Sequence, residues 1–316
     1  KCRNTPSGFY HNFDPRKTFE VSEKKREQFW EKLYASPGFG IWLGNFKDTL
    51  SDEKANLEFS NFVAKKIRQR VKSPETAELL IPKDHGFGTR RVPMENGYYE
   101  VFNQNNVQLI NLEENPIVEV TKTGILTKKE EYNFDIIIYA TGFDAVTGSF
   151  DRIEFIGKDG VSLREKWENG PRTVYGLAVP KFPNLLTLAG PQSGSVATNF
   201  PRGIEEAVNW STDFLMFLEK NKISYFDAKI EAEELWNDHV TEMSEKILFA
   251  KEKSWFTGYN VNVDKKYKGK CLIYAGGQIR FREFITNEKT QQYPSFDKFT
   301  TDQDFLEHSG EVTATI

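Results

Sequence analysis

The chain has 316 residues, with 42 lysines and arginines against 46 aspartates and glutamates, a formal net charge of -4. That balance excludes a strongly basic nucleic-acid binder, and 38% hydrophobic with 28% charged residues excludes a disordered chain. Length alone fits about two domains.

The two cysteines, Cys2 and Cys271, are too few for a disulfide framework and belong to no zinc-type cluster, so a reducing, cytoplasmic setting is expected. No apolar run approaches the ~20 residues of a membrane helix, and the opening KCRNTPSG has no apolar signal-peptide core. The chain starts at Lys1 in a loop-like stretch, which reads as a start inside a longer protein.

Taken in order, the first stretch is helical and charged. A helix over Val21 to Tyr34 would bury Phe29, Trp30 and Leu33, with Pro37-Gly38 ending it. A second follows from Ala55, Phe59, Phe62, Val63, Ile67 and Val71, which recur at three- and four-residue steps and make one buried stripe. Ser51 and Asp52 can cap its start, and Pro74 is expected to stop it. The basic residues between the stripe positions, Lys65, Lys66, Arg68 and Arg70, are expected to be a solvated face.

After Pro82 the texture becomes short strand-like pieces: Val107 to Ile110, Ile117 to Val120, and Phe134 to Ala145. In the last, Ile136 to Tyr139 is a continuous apolar run, as in a strand covered on both faces, and it breaks at Ala140-Thr141-Gly142. Small residues at a strand's carboxyl end leave room for a ligand, as at the edge of open α/β sheets.

The remainder alternates again. Leu185 to Ser195 repeats the apolar-strand-to-small-residue design, helices are expected over Ile204 to Glu219 and Ala232 to Phe249, and Cys271 to Gly277 reads as a closing strand. A strand, a small-residue loop and a helix N-terminus together place unpaired amides against a polar or anionic group. The fold class read from this pattern is α/β.

No GxGxxG fingerprint occurs in the 316 residues. GFGIWLG (Gly38 to Gly44) has the wrong spacing and follows a helix-like stretch, and GFGTRR (Gly86 to Arg91) lacks the third glycine. The four histidines lie far apart and predict no metal site.

FDIIIYATGFDA, GPRTVYGLAVPKFPNLLTLAGPQS, TNFPRGIEEAVNW and KSWFTGYN, in that order, together with GTRRVPMENGYYEVFNQNNVQLINLEENPI upstream, resemble the carboxyl-terminal half of a Baeyer-Villiger monooxygenase. The resemblance extends to YPSFDKF and covers nearly the whole chain. It implies the carboxyl-terminal part of a flavoprotein with two dinucleotide-binding domains and a helical insert. Residues 1–85 would be the insert of the NADP domain, 86–139 the remainder of that domain, and 140–316 part of the FAD domain. The family's reaction uses FAD, NADPH and O2, and a C4a-peroxyflavin converts ketones to esters or lactones. Both glycine fingerprints belong to the family's amino-terminal half, so a companion polypeptide or further segment is expected to carry them.

By the same resemblance Arg91 matches the catalytic arginine. Its guanidinium never yields its proton at working pH and can keep the peroxyflavin anionic. At about 4 Å and an effective dielectric near 20, such a pair is worth up to roughly 4 kcal/mol, about a thousandfold. Arg90 stands where relatives often carry an NADP-contacting lysine, and Trp255 matches the tryptophan beside the NADP ribose. Thr141, Gly142 and Asn199 are implied on the flavin side, and Ser195, Val196, Thr198 and Phe200 in the substrate pocket, with Phe200 setting its shape. A related flavin monooxygenase acting on sulfur or nitrogen, or an inert assembly module without FAD, would share most of these residues.

Overall fold

The structure, a computed structural model, describes residues 2–194, 198–259, 270–301 and 304. The first helical stretch forms as its periodicity predicts. Helix α1 (Glu23–Ala35) and helix α2 (Glu53–Arg70) pack through Trp30, which lies 5.1 Å from the Phe59 ring and 5.5 Å from that of Phe62. The Trp30 indole N–H is buried but donates to Asn45 Oδ1 at 3.0 Å, which removes the cost of burying it. Asp52 is the cap of α2, accepting from the Ala55 amide at 2.9 Å.

Pro74 does more than stop that helix. The chain leaves α2 at Val71, Ser73 caps a new helix by accepting from the Thr76 amide, and Pro74 opens α3 (Pro74–Leu80). Proline is suited to that first position because its missing N–H has no partner there in any helix.

A meander of β1 (Ile117–Val120), β2 (Gly124–Thr127) and β3 (Glu131–Asn133) follows, antiparallel throughout. The largest core lies beyond it, where α4 (Phe200–Lys220), α5 (Ile230–Glu245) and α6 (Gly277–Thr290) pack with β4 (Tyr225–Ala228) and β5 (Phe296–Phe299), also an antiparallel pair. Phe214 sits at its centre, with the rings of Tyr293, Phe296 and Phe226 at 4.5, 4.8 and 4.9 Å.

The α/β expectation holds at the level of mixed helix and sheet, and both described sheets are antiparallel. The strand expected at Ile136 to Tyr139, covered on both faces, is not formed among the described residues: Ile136 and Ile138 are 78% and 85% exposed. Apolar sequence gives a segment its tendency to be a strand, but ladder hydrogen bonds come from other segments. Val107 to Ile110 likewise forms no strand among the described residues. Leu272, Ile273 and Tyr274 are fully buried without being a strand; the Leu272 amide donates to Phe256 O at 2.8 Å and its carbonyl accepts from Gln192 at 2.9 Å.

Two helix boundaries also shift. Asn199 caps α4 five residues before the expected start, and α5 ends at Glu245 with a separate turn at Leu248–Lys251. Cys2 and Cys271 are free thiols. Among the described residues no helix is long and apolar enough to cross a membrane.

Candidate functional site

The loop Gly86 to Arg91 is clamped to α2. Asn56 donates to the carbonyls of Thr49 and Phe87, each at 2.9 Å, and the Phe87 amide donates to Ser60 Oγ at 2.9 Å. Both glycines of GFGTRR are required by this close approach. A Cβ at Gly86 would overlap the Asn56 side chain; one at Gly88 would lie 2.8 Å from Leu50 and 3.0 Å from the Trp42 indole. Gly88 also has φ of +76°, where L side chains are strained.

This clamp delivers Arg91 into an aromatic enclosure. Its guanidinium carbon is 5.1 Å from the Trp42 ring, 5.8 Å from Phe39 and 6.0 Å from Phe9. Those rings contact one another, Phe9 with Phe39 at 5.1 Å and Phe39 with Trp42 at 5.8 Å. The side chain is half-buried, burial lowers its pKa, and no carboxylate of the described residues pairs with it. Cation-π attraction of about 0.5–2 kcal/mol per ring offsets part of that desolvation without neutralising the charge.

Arg90 points differently. It pairs with Asp84 at 2.7 Å, and Asp84, which also bonds His85, is held below the usual carboxylate range by these two partners.

Two structural bridges tie Arg91 to other predicted residues. Gly8, next to Phe9, packs on the Asn199 side chain, and the Asn199 amide donates to Ser7 O at 2.8 Å. Asn199 then caps α4 by accepting from the Arg202 amide at 3.4 Å, with Phe200 46% exposed as the first helical residue. On the other side Leu50, against Gly88, accepts from the Leu248 amide at 3.0 Å, which anchors the segment leading to Trp255. Trp255 opens the helical turn Trp255–Thr257, capped by Ser254, with its ring 4.1 Å from Phe256.

Thr198 is buried and its hydroxyl donates to Gly194 O at 2.7 Å, which pins the loop before α4. Ser195 and Val196 lie outside the described residues. Thr141 and Gly142 stand on the exposed stretch after Tyr139; Gly142 has φ of +89° and open space on its Cβ side.

Sequence reasoning missed Phe9, Phe39, Trp42 and Asn56. The signal for two of them was present in GFGIWLG, whose aromatic positions bear on Arg91 while its glycines do not form a phosphate loop.

No family model matches the chain. Single relatives do. The 2-oxo-Delta(3)-4,5,5-trimethylcyclopentenylacetyl-CoA monooxygenase of Pseudomonas putida is 41% identical over 295 residues, 93% of this chain and 54% of the relative. A Baeyer-Villiger monooxygenase of Pseudooceanicola batsensis is 34% identical over 291 residues, 91% of this chain and 52% of the relative. The chain belongs to the Baeyer-Villiger monooxygenases. Among solved structures, OTEMO in complex with FAD and NADP superposes with a TM-score of 0.88 at 42% identity, covering 94% of this chain and 54% of that one. The chain thus spans about half the length of the relatives it matches.

Proposed function

We propose that this chain supplies the carboxyl-terminal half of an NADPH- and O2-dependent flavin monooxygenase that converts ketones to esters or lactones. The observation that carries the reading is Arg91, a half-buried cation walled by aromatic rings and left without a carboxylate among the described residues. Such a site keeps its full positive charge for an anion that forms beside it.

The residues present fit the ring end of FAD. Arg91 offers donors to a polar edge, the N-terminus of the 21-residue α4 presents the positive end of its helix dipole, and Gly142 leaves open space for close approach. No GxGxxG loop is present for the ADP half, so a companion polypeptide or further segment carrying that fingerprint belongs to the same reading. Reduced FAD, when bound, supplies the activated oxygen that adds to the ketone carbonyl.

This chain's residues then have distinct tasks. Arg91 holds negative charge at its N–H edge. Phe200, at the mouth of the loop that Thr198 pins, sets which ketones fit, together with Ser195 and Val196. Trp255 and Arg90 face NADPH, and Arg90 must exchange Asp84 for a cofactor phosphate to do so. Thr141, Gly142 and Asn199 approach FAD. Residues 1–85, 86–139 and 140–316 correspond to the helical insert, the rest of the NADP domain and part of the FAD domain. A cytoplasmic setting agrees with the two free thiols.

The test is turnover by the whole protein. With NADPH and O2, a cyclic ketone should give its lactone, and Arg91→Ala should lower that rate by about a thousandfold while NADPH still bleaches the 450 nm flavin band. Thioether oxidation without lactone formation, or an unaltered rate in Arg91→Ala, would overturn the assignment.

A further inference from the structure

Arginines in this chain are mostly held by acids. Arg70 pairs with Glu95 at 2.7 Å and Glu100 at 2.6 Å, Arg16 with Asp14 at 2.7 Å, and Arg90 with Asp84 at 2.7 Å. Each such contact fixes a guanidinium but occupies its N–H edge and cancels its charge. Arg70 and Arg16 also lie over rings, Arg70 4.8 Å from Tyr99 and Arg16 5.9 and 5.7 Å from Phe29 and Phe46, but Arg91 has three rings from two distant segments and, among the described residues, no acid.

We propose that Phe9, Phe39 and Trp42 are positioning residues that hold the Arg91 guanidinium by its faces and so leave its N–H edge open to an anion. A planar cation has faces and an edge, and aromatic rings attract the first without competing for the second. The three rings are themselves braced. Trp42 is buried against Gly88, which admits no side chain, and Phe9 is continuous with the Gly8 that packs on Asn199. The enclosure therefore links the orientation of Arg91 to the start of α4. It rests on the reading of Arg91 above for its purpose, but not for its existence.

The experiment is phenylglyoxal labelling of the whole protein, with the rate at each arginine read by peptide mass spectrometry and Arg70 as the internal reference. Leucine keeps most of an aromatic residue's volume and none of its quadrupole. Phe39→Leu and Trp42→Leu should therefore speed labelling of Arg91 about threefold to tenfold relative to Arg70. Phe39→Tyr and Trp42→Phe should restore the wild-type ratio. In turnover the leucine variants should lower kcat for a cyclic ketone with KM for NADPH unchanged. An Arg91-to-Arg70 ratio within twofold of wild type in both leucine variants would overturn the proposal. If Arg70 labelling also rises, the variant has lost its fold, and Phe9→Leu, changed in a half-exposed segment, decides by the same ratio. A changed ratio in a protein that makes no lactone would leave the enclosure standing and remove the assignment of function.

Discussion

Asn56 and Phe87 are joined by a hydrogen bond from the Asn56 side-chain amide to the Phe87 carbonyl at 2.9 Å, and this contact fixes the arginine-bearing loop to α2. The same amide nitrogen bonds the Thr49 carbonyl, so one side chain serves two loops. Asn56→Leu should remove both bonds and leave two carbonyls unsatisfied, a loss of about 2–4 kcal/mol in urea denaturation. A change below about 0.5 kcal/mol would show that the loop is held by other means.

Gly88→Ala addresses the same loop from its other side. The added methyl meets Leu50 and the Trp42 indole, and φ of +76° strains any L residue, so a loss of about 1–3 kcal/mol is expected. Tryptophan emission should shift as the indole moves. An unshifted spectrum with wild-type stability would contradict the packing.

Phe214 reports on the main core. It is fully buried among Tyr293, Phe296 and Phe226, so Phe214→Ala should cost about 3–5 kcal/mol, measured by denaturant unfolding. Val208, on the same helix but exposed, should tolerate alanine within about 0.5 kcal/mol.

Asp227 supplies a pH test. Burial, with Asp297 directly opposite in the β4–β5 register, raises its pKa from 3.8 to about 6. Below about pH 4 the group is protonated in both folded and unfolded chains and costs little. As pH rises toward 6 only the unfolded chain releases its proton, so stability falls; above 6 the cost is constant. Asp227→Asn keeps an acceptor for the Lys181 amide and should gain about 1–2 kcal/mol at pH 7.5, allowing for solvent screening, and almost none at pH 4. An equal effect at both pH values would count against the shift.

Local signals made some of this architecture readable from residues alone. Helix α2 was legible because its stripe, its Asp52 cap and its basic end all agree within eighteen residues. Helix α6 was not, because two of its four buried positions are Gln278 and Glu288, which break the apolar period. Ile136 to Tyr139 has strand composition, yet pairing is decided by segments far away in the chain, so composition could not settle it. At the site, Arg91 came from resemblance to a family, whereas its ring enclosure joins residue 9 to residues 39 and 42 and has no signature in any one window.

The bare ribbon at Ile136, Ile138 and Tyr139 has a practical consequence. Backbone donors and acceptors beside such greasy side chains are a template for edge-to-edge pairing between molecules. Produced as they stand, these 316 residues should collect in inclusion bodies, and Ile136→Lys with Ile138→Lys should bring them into the clarified lysate.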